Sequence, residues 1–232
     1  MPRAIGQIST SATTRVPIYA TAYVEQTSGA QRSFKSASAS DAAAGTGVRK
    51  VKVTYYTLGA DGTITGPFVE TVTLTGTVAV ATVATNIALI EKIEAVAVGS
   101  GGVAAGVISM CVDNAGAGSV FASIAAGDVR TRYAHHYVPS NRGCEITDLE
   151  TMGGDATAAL IEIDSISYPP GVEQPFTGMY GSTWDTPRGV QFADRAMIPG
   201  PARVRMLVTP GNGDAQETVG SFGFIDRQTS AI

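Results

Sequence analysis

The chain of 232 residues carries 16 Lys and Arg against 20 Asp and Glu, a formal charge of -4, and 44% hydrophobic residues scattered in short groups. That length admits one large all-β domain or two small ones, and the acidic balance excludes a nucleic-acid coat, which needs clustered cations. No apolar run approaches the roughly 20 residues of a membrane helix, and Met1-Pro2-Arg3-Ala4-Ile5-Gly6-Gln7 lacks a signal peptide's apolar stretch, so the expectation is no membrane insertion and synthesis in a cytoplasm.

In chain order, residues 1–35 hold β-type stretches such as 16–24, where Pro17 removes a ladder donor and points to an edge or an arm. Residues 36–47 are a small-residue, low-complexity run read as a flexible connection, with a boundary near Gly47. From Val48 the pattern changes: Val51, Val53 and Tyr55 alternate with Lys52, Thr54 and Tyr56, the period of a half-buried strand. Ala60-Asp61-Gly62 supplies a tight turn before Ile64, so a hairpin is expected. Further strands are read over 69–75, 87–98, 107–113, 120–124, 129–138, 144–151 and 158–165, each closed by Gly, Asn or Asp. Residues 81–98 carry Ile87, Ile90, Glu91 and Glu94 at near-helical spacing, but β-branched content and the glycines that follow favour a strand.

After Ser165 the chain reads as loop, broken by Tyr168-Pro169-Pro170-Gly171, Pro175, Gly178, Gly181, Pro187 and Gly189. Two late strands follow over 202–209 and 218–226, which either complete the sandwich or add to a neighbouring subunit. Short strands between turn signals predict an all-β, antiparallel β-sandwich, jelly-roll-like or immunoglobulin-like. The expected organisation is an N-terminal arm and linker over 1–47, a sandwich core over 48–165, and a loop-rich extension over 166–232.

Residues suited to chemistry are sparse. Cys111 and Cys144 are the only cysteines, without a C-x-x-C, and are read as reduced and buried. His135 and His136 are adjacent in an expected strand and point to opposite faces, so they cannot share one metal or nucleophile, and one buried with one exposed is expected. Glu91, Glu94, Glu145, Asp148, Glu150, Glu162 and Asp164 could pair for acid–base work on a sugar, but a solvated polar face opposite Ile161, Ile163 and Ile146 is the simpler account. Leu149 does not fall in phase with Cys144, Ile146 and Asp148 on that account. Gly99-Ser100-Gly101-Gly102 lacks the Lys of a phosphate loop, and neither Asp61-Gly62 nor Asp113-Asn114 sits in a calcium-loop pattern. No catalytic residue, metal or cofactor is assigned, and the chain is not read as an enzyme.

Phe176, Tyr180, Trp184 and Arg188 lie on an expected Gly-rich loop that holds the only Trp. Such side chains can anchor a protein contact, stack on a host-surface glycan, or, for Trp184, plug the base of the sandwich; the protein contact is preferred over the glycan.

Residues 70–80, with Thr73-Leu74-Thr75-Gly76-Thr77, and residues 90–108, with Gly99-Ser100-Gly101-Gly102, are similar to a T-L-x-G-T start followed by a G-S-G-G turn and N-x-G-x-I. Tyr137-Val138-Pro139-Ser140-Asn141-Arg142-Gly143 takes the place of a later V-P-x-G turn, while Ala104 stands where the Asn of the pattern would be. Over residues 48–165 the chain resembles uncharacterised virion-associated proteins of tailed bacteriophages. The resemblance implies a structural protein of the virion, made in the bacterial cytoplasm, acting as a homo-oligomer with other virion proteins as head decoration, head fibre, neck or tail component. The alternative is a carbohydrate- or receptor-binding module of the virion.

Overall fold

The computed structural model of the chain describes residues 2–10, 14, 16–153, 159–168, 173–182, 188–191, 197–210 and 216–228. Among them all regular structure is strand, paired antiparallel into sheets, in keeping with the expected β-sandwich class. In chain order the strands are β1 (Arg3–Thr10), β2 (Val16–Pro17), β3 (Ser33–Ser36), β4 (Val48–Leu58), β5 (Ile64–Thr73), β6 (Val80–Ala81), β7 (Leu89–Val98), β8 (Ile108–Cys111) and β9 (Val120–Ile124). They continue with β10 (His135–Val138), β11 (Arg142–Gly153), β12 (Ala159–Ser167), β13 (Glu173–Ser182), β14 (Arg188–Gln191), β15 (Met197–Pro199), β16 (Ala202–Pro210) and β17 (Gln216–Gln228). The stretch with helical spacing forms β7, because its β-branched residues suit a pleated surface better than a helix.

The chain folds as two compact units that cut across the three segments read from the sequence: Met1–Ala20, Asp61–Ile64 and Tyr133–Ile232 form the first, Thr21–Ala60 and Thr65–Arg132 the second. In the first unit one sheet runs β1-β17-β11-β14 with β15 also on β11, and the other runs β10-β16-β12-β13 with β2 on β16. The core between them takes Ile146, Leu149, Phe222 and Phe224 from one sheet and Ile161, Ile163, Val204, Met206 and Val208 from the other. Each such side chain, removed from water, contributes about 1.5–3 kcal/mol.

Residues 3–10 therefore do more than reach outward as an arm: Arg3 pairs with Gly223 and Thr10 with Gln216 along the whole of β1. The two late strands complete the sandwich rather than waiting for a neighbour, since β16 lies between β10 and β12 and β17 between β1 and β11. Strands β13 and β14 occupy a stretch read as loop, where Gly and Pro are tolerated because each pairs along one side only, β13 with β12 and β14 with β11. The phase problem at Leu149 has a local cause. A β-bulge sets Ile146 opposite Phe224 and Asp148 opposite Gly223, so Thr147 is the extra residue and Leu149 returns to the buried face with Cys144 and Ile146.

In the second unit one sheet runs β6-β3-β8-β9 and the other β5-β4-β7. Buried residues alternate along β4 as Val51, Val53 and Tyr55, matching the sequence period, but a register shift between Thr54 and Tyr55 turns Tyr56 inward as well. The expected hairpin joins β4 to β5, with Gly62 at φ +83° and the Thr63 N–H donating to Asp61 Oδ1 at 3.0 Å. Phe34, Ile108, Met110, Phe121, Leu89 and Ile93 are all fully buried.

Candidate functional site

The small-residue run 36–47, expected to be flexible, is built around one buried carboxylate. Asp41 Oδ1 accepts the N–H of Val48 at 2.8 Å and of Ala105 at 2.9 Å, while Oδ2 accepts the Ser36 hydroxyl at 2.6 Å and the Gly106 N–H at 3.0 Å. Burial pushes this carboxyl up, but the Ser36 hydroxyl and the Ala105, Val48 and Gly106 N–H groups outweigh it and hold it below the ordinary Asp value. With its acceptor capacity committed to the protein, Asp41 is a structural lock. Composition marked the segment as a linker because its side chains are small; a single Asp organises it, since short side chains let the backbone close around a carboxylate.

The other residues weighed for chemistry are likewise engaged. Asp113 Oδ1 accepts the N–H groups of Ala115, Gly116 and Ala117, which makes it a turn residue. Glu94 pairs with Lys52 and Lys92, which outweigh burial and lower its carboxyl. Glu91 lies half-buried on β7. Glu162 and Asp164 are buried, not on a solvated face, and Arg205 grips Asp164 with both Nε and Nη2 at 2.8 Å. A carboxylate so held has both oxygens engaged by one guanidinium, and β12, paired with β13 on one edge and β16 on the other, is an interior strand of its sheet. Glu145 is likewise buried and pairs with Arg227 at 2.7 Å; Asp148 pairs with Arg3 at 2.7 Å, and the exposed Glu150 with the same Arg at 3.0 Å. The Gly99–Gly102 segment is a turn, closed by the Gly102 N–H on the Gly99 carbonyl at 3.1 Å.

The histidines depart from expectation. They do face different partners, yet both are buried, because the side of β10 that would meet water is covered by aromatic rings. His135 has ring centroids of Tyr19, Tyr133 and Tyr137 at 5.4, 5.6 and 5.2 Å, and its Nδ1 lies 3.0 Å from the Tyr19 hydroxyl. His136 stacks on Phe224 at 3.8 Å and brings Nε2 to 2.9 Å from Asp226 Oδ1. Cys144 is the direct cross-strand partner of Asp226, and the donor atoms of His136, Cys144 and Asp226 all lie within 4.8 Å of one another. Spacing in the sequence hides this group, since its members sit on β10, β11 and β17 of two sheets. Both cysteines are buried and neither is in a disulfide, and burial pushes the Cys111 thiol up.

Of the aromatic stretch, Phe176 and Tyr180 fall on β13 and Arg188 on β14 instead of on a loop, while Trp184 lies outside the described residues. In register, Tyr180 stands opposite Ile161 and Arg188 opposite Thr151.

No protein-family model and no curated protein matches the chain. Among solved structures, those of the infectious bursal disease virus Gx and Gt strains overlay 97% and 98% of this chain and 70% and 68% of their own, at 9% and 10% identity and TM-scores of 0.28. The crystal structure of the infectious bursal disease virus VP2 subviral particle overlays 97% of this chain and 68% of its own at 9% identity and a TM-score of 0.21. Overlays this loose carry no argument about function, which rests on the chain's own residues.

Among the described residues, the large hydrophobic side chains that stay exposed concentrate in the second unit: Val83 is 87% exposed, Val78 67% and Val69 58%, with Val24, Phe68, Val96 and Val98 also open. Exposed apolar residues are ordinary on a surface when scattered singly; here those described lie almost all in one unit.

Proposed function

We propose that the chain is a non-enzymatic structural protein of a tailed-phage virion, a head decoration, head fibre, neck or tail component, that acts through self-assembly and contacts with other virion proteins. The observation that carries this reading is that, among the described residues, the exposed large apolar side chains fall almost all in the second unit, while titratable groups weighed for catalysis, such as Asp164 and Asp113, are held in ion pairs and turns. The resemblance over residues 48–165 supplies the virion context. Made in the bacterial cytoplasm, such a chain gains free energy by burying Val69, Val78 and Val83 against a neighbour.

The test is light scattering on the purified chain beside a Val69→Lys, Val78→Lys, Val83→Lys variant, paired with mass spectrometry of purified phage particles. A defined oligomer that falls toward monomer in the variant, with the chain present in the particles, is expected. A monomer at all concentrations, or an oligomer indifferent to the three charges, overturns the self-assembly reading, and absence from particles overturns the virion reading.

A further inference from the structure

The buried group in the first unit combines three different metal-binding atoms. Cys144 and Asp226 stand directly opposite each other on the antiparallel strands β11 and β17, so both side chains leave the same face of that sheet. His136 comes from β10 of the other sheet and meets them across the core. We propose that His136, Cys144 and Asp226 form a binding site for a divalent cation of the zinc class.

Three observations carry the assignment. The first is geometry: imidazole nitrogen, sulfur and carboxylate oxygen already lie within 4.8 Å of one another, and a tetrahedral zinc with bonds of about 2.0–2.3 Å needs its ligands roughly 3.3–3.7 Å apart. For the cation to replace the proton between them, the 2.9 Å from His136 Nε2 to Asp226 Oδ1 has to widen by about 0.4–0.8 Å, and any pair at the 4.8 Å limit has to close by about 1 Å, shifts within reach of side-chain rotation. The second is donor chemistry. A thiolate and an imidazole beside one carboxylate select zinc or its borderline-soft neighbours over calcium and magnesium, which take oxygen. The third is support: Phe224, on the same face of β17 two residues before Asp226, stacks on the imidazole and fixes the plane in which its nitrogen points.

His136 and Cys144 are buried, whereas the Asp226 side chain is 23% exposed. That leaves the coordination sphere open toward the Asp226 side, where a water completes it. On binding, the Cys144 thiol proton and the proton held between His136 and Asp226 pass to solvent, and the cation ties the two sheets of the sandwich together. Nucleophilic use of Cys144 is the weaker reading of the same group, because its side chain has no exposure through which a substrate would reach it.

The test is titration of the full chain with cobalt(II), followed by displacement with zinc. One equivalent is expected to produce a thiolate-to-cobalt charge-transfer band and a tetrahedral visible spectrum, and zinc to raise the thermal midpoint. Cys111→Ser keeps the band; Cys144→Ser abolishes it, and Asp226→Asn weakens binding by roughly tenfold or more. Absence of the band in the parent chain overturns the proposal, as does a band that survives Cys144→Ser. Circular dichroism establishes that each variant is folded. Should Cys144→Ser fail to fold, the parent spectrum and the partly exposed Asp226→Asn decide, and unchanged affinity in the latter overturns the site.

Discussion

Asp41 shows how much one side chain can organise. Replacing it by Ala strands the N–H groups of Val48, Ala105 and Gly106, each costing about 1–3 kcal/mol when buried without a partner. The Val48 and Gly106 bonds are buried and that of Ala105 only partly, so Asp41→Ala is expected to lower stability by at least about 2 kcal/mol in urea unfolding. The pH dependence follows from the lowered carboxyl. A group whose folded pKa lies below its unfolded value adds stability that is fully present above the unfolded value and is lost as pH falls through the folded one. The parent chain should lose this contribution below about pH 4, and Asp41→Asn should remove that part of the acid arm. Equal acid sensitivity in parent and variant would exclude Asp41 as a source.

At the scale of elements, β1 depends on a residue with no side chain. A Cβ at Gly6 would lie 2.6 Å from the Ala134 nitrogen and 2.7 Å from the Ala134 Cβ, and would also strike the Ile18 carbonyl oxygen. Backbone atoms cannot step aside as a side chain tip can. Gly6→Val is expected to cost on the order of 1–3 kcal/mol or more and to raise amide exchange along β1 before the rest of its sheet. The sequence was legible where periodicity was regular: β9 coincides with its expected span, β4 alternates as read up to Tyr55, and the Asp61-Gly62 turn joins the hairpin. It was opaque where the cause is a tertiary contact. The bulge at Thr147 breaks a period that only the partner strand reveals, and β13 owes its order to pairing with β12 despite Pro175. Glu162 and Asp164 read as a wet face until Arg205 supplies the partner that lets Asp164 be buried. Likewise, His136, Cys144 and Asp226 meet only because three strands of two sheets converge, which no local spacing encodes.

For the whole molecule, the self-assembly proposed above would draw on removing the exposed valines of the second unit from water. Sodium chloride should leave the oligomeric mass nearly unchanged, because charge pairs are not its main source, whereas sulfate should raise it. Dissociation by moderate sodium chloride, followed by sedimentation velocity, would point instead to an ionic interface. The pairing of β1 with β17 has a further consequence for how the protein comes into being. Arg3 and Ser221, hydrogen-bonded at 3.0 Å, stand 218 residues apart in the chain. On a ribosome the second unit, drawn from Thr21–Ala60 and Thr65–Arg132, has all its strands long before β17 emerges, while β1 waits with its edge unsatisfied. A strand made before the second unit is thus paired only after it, and the closure of the first unit waits on β17.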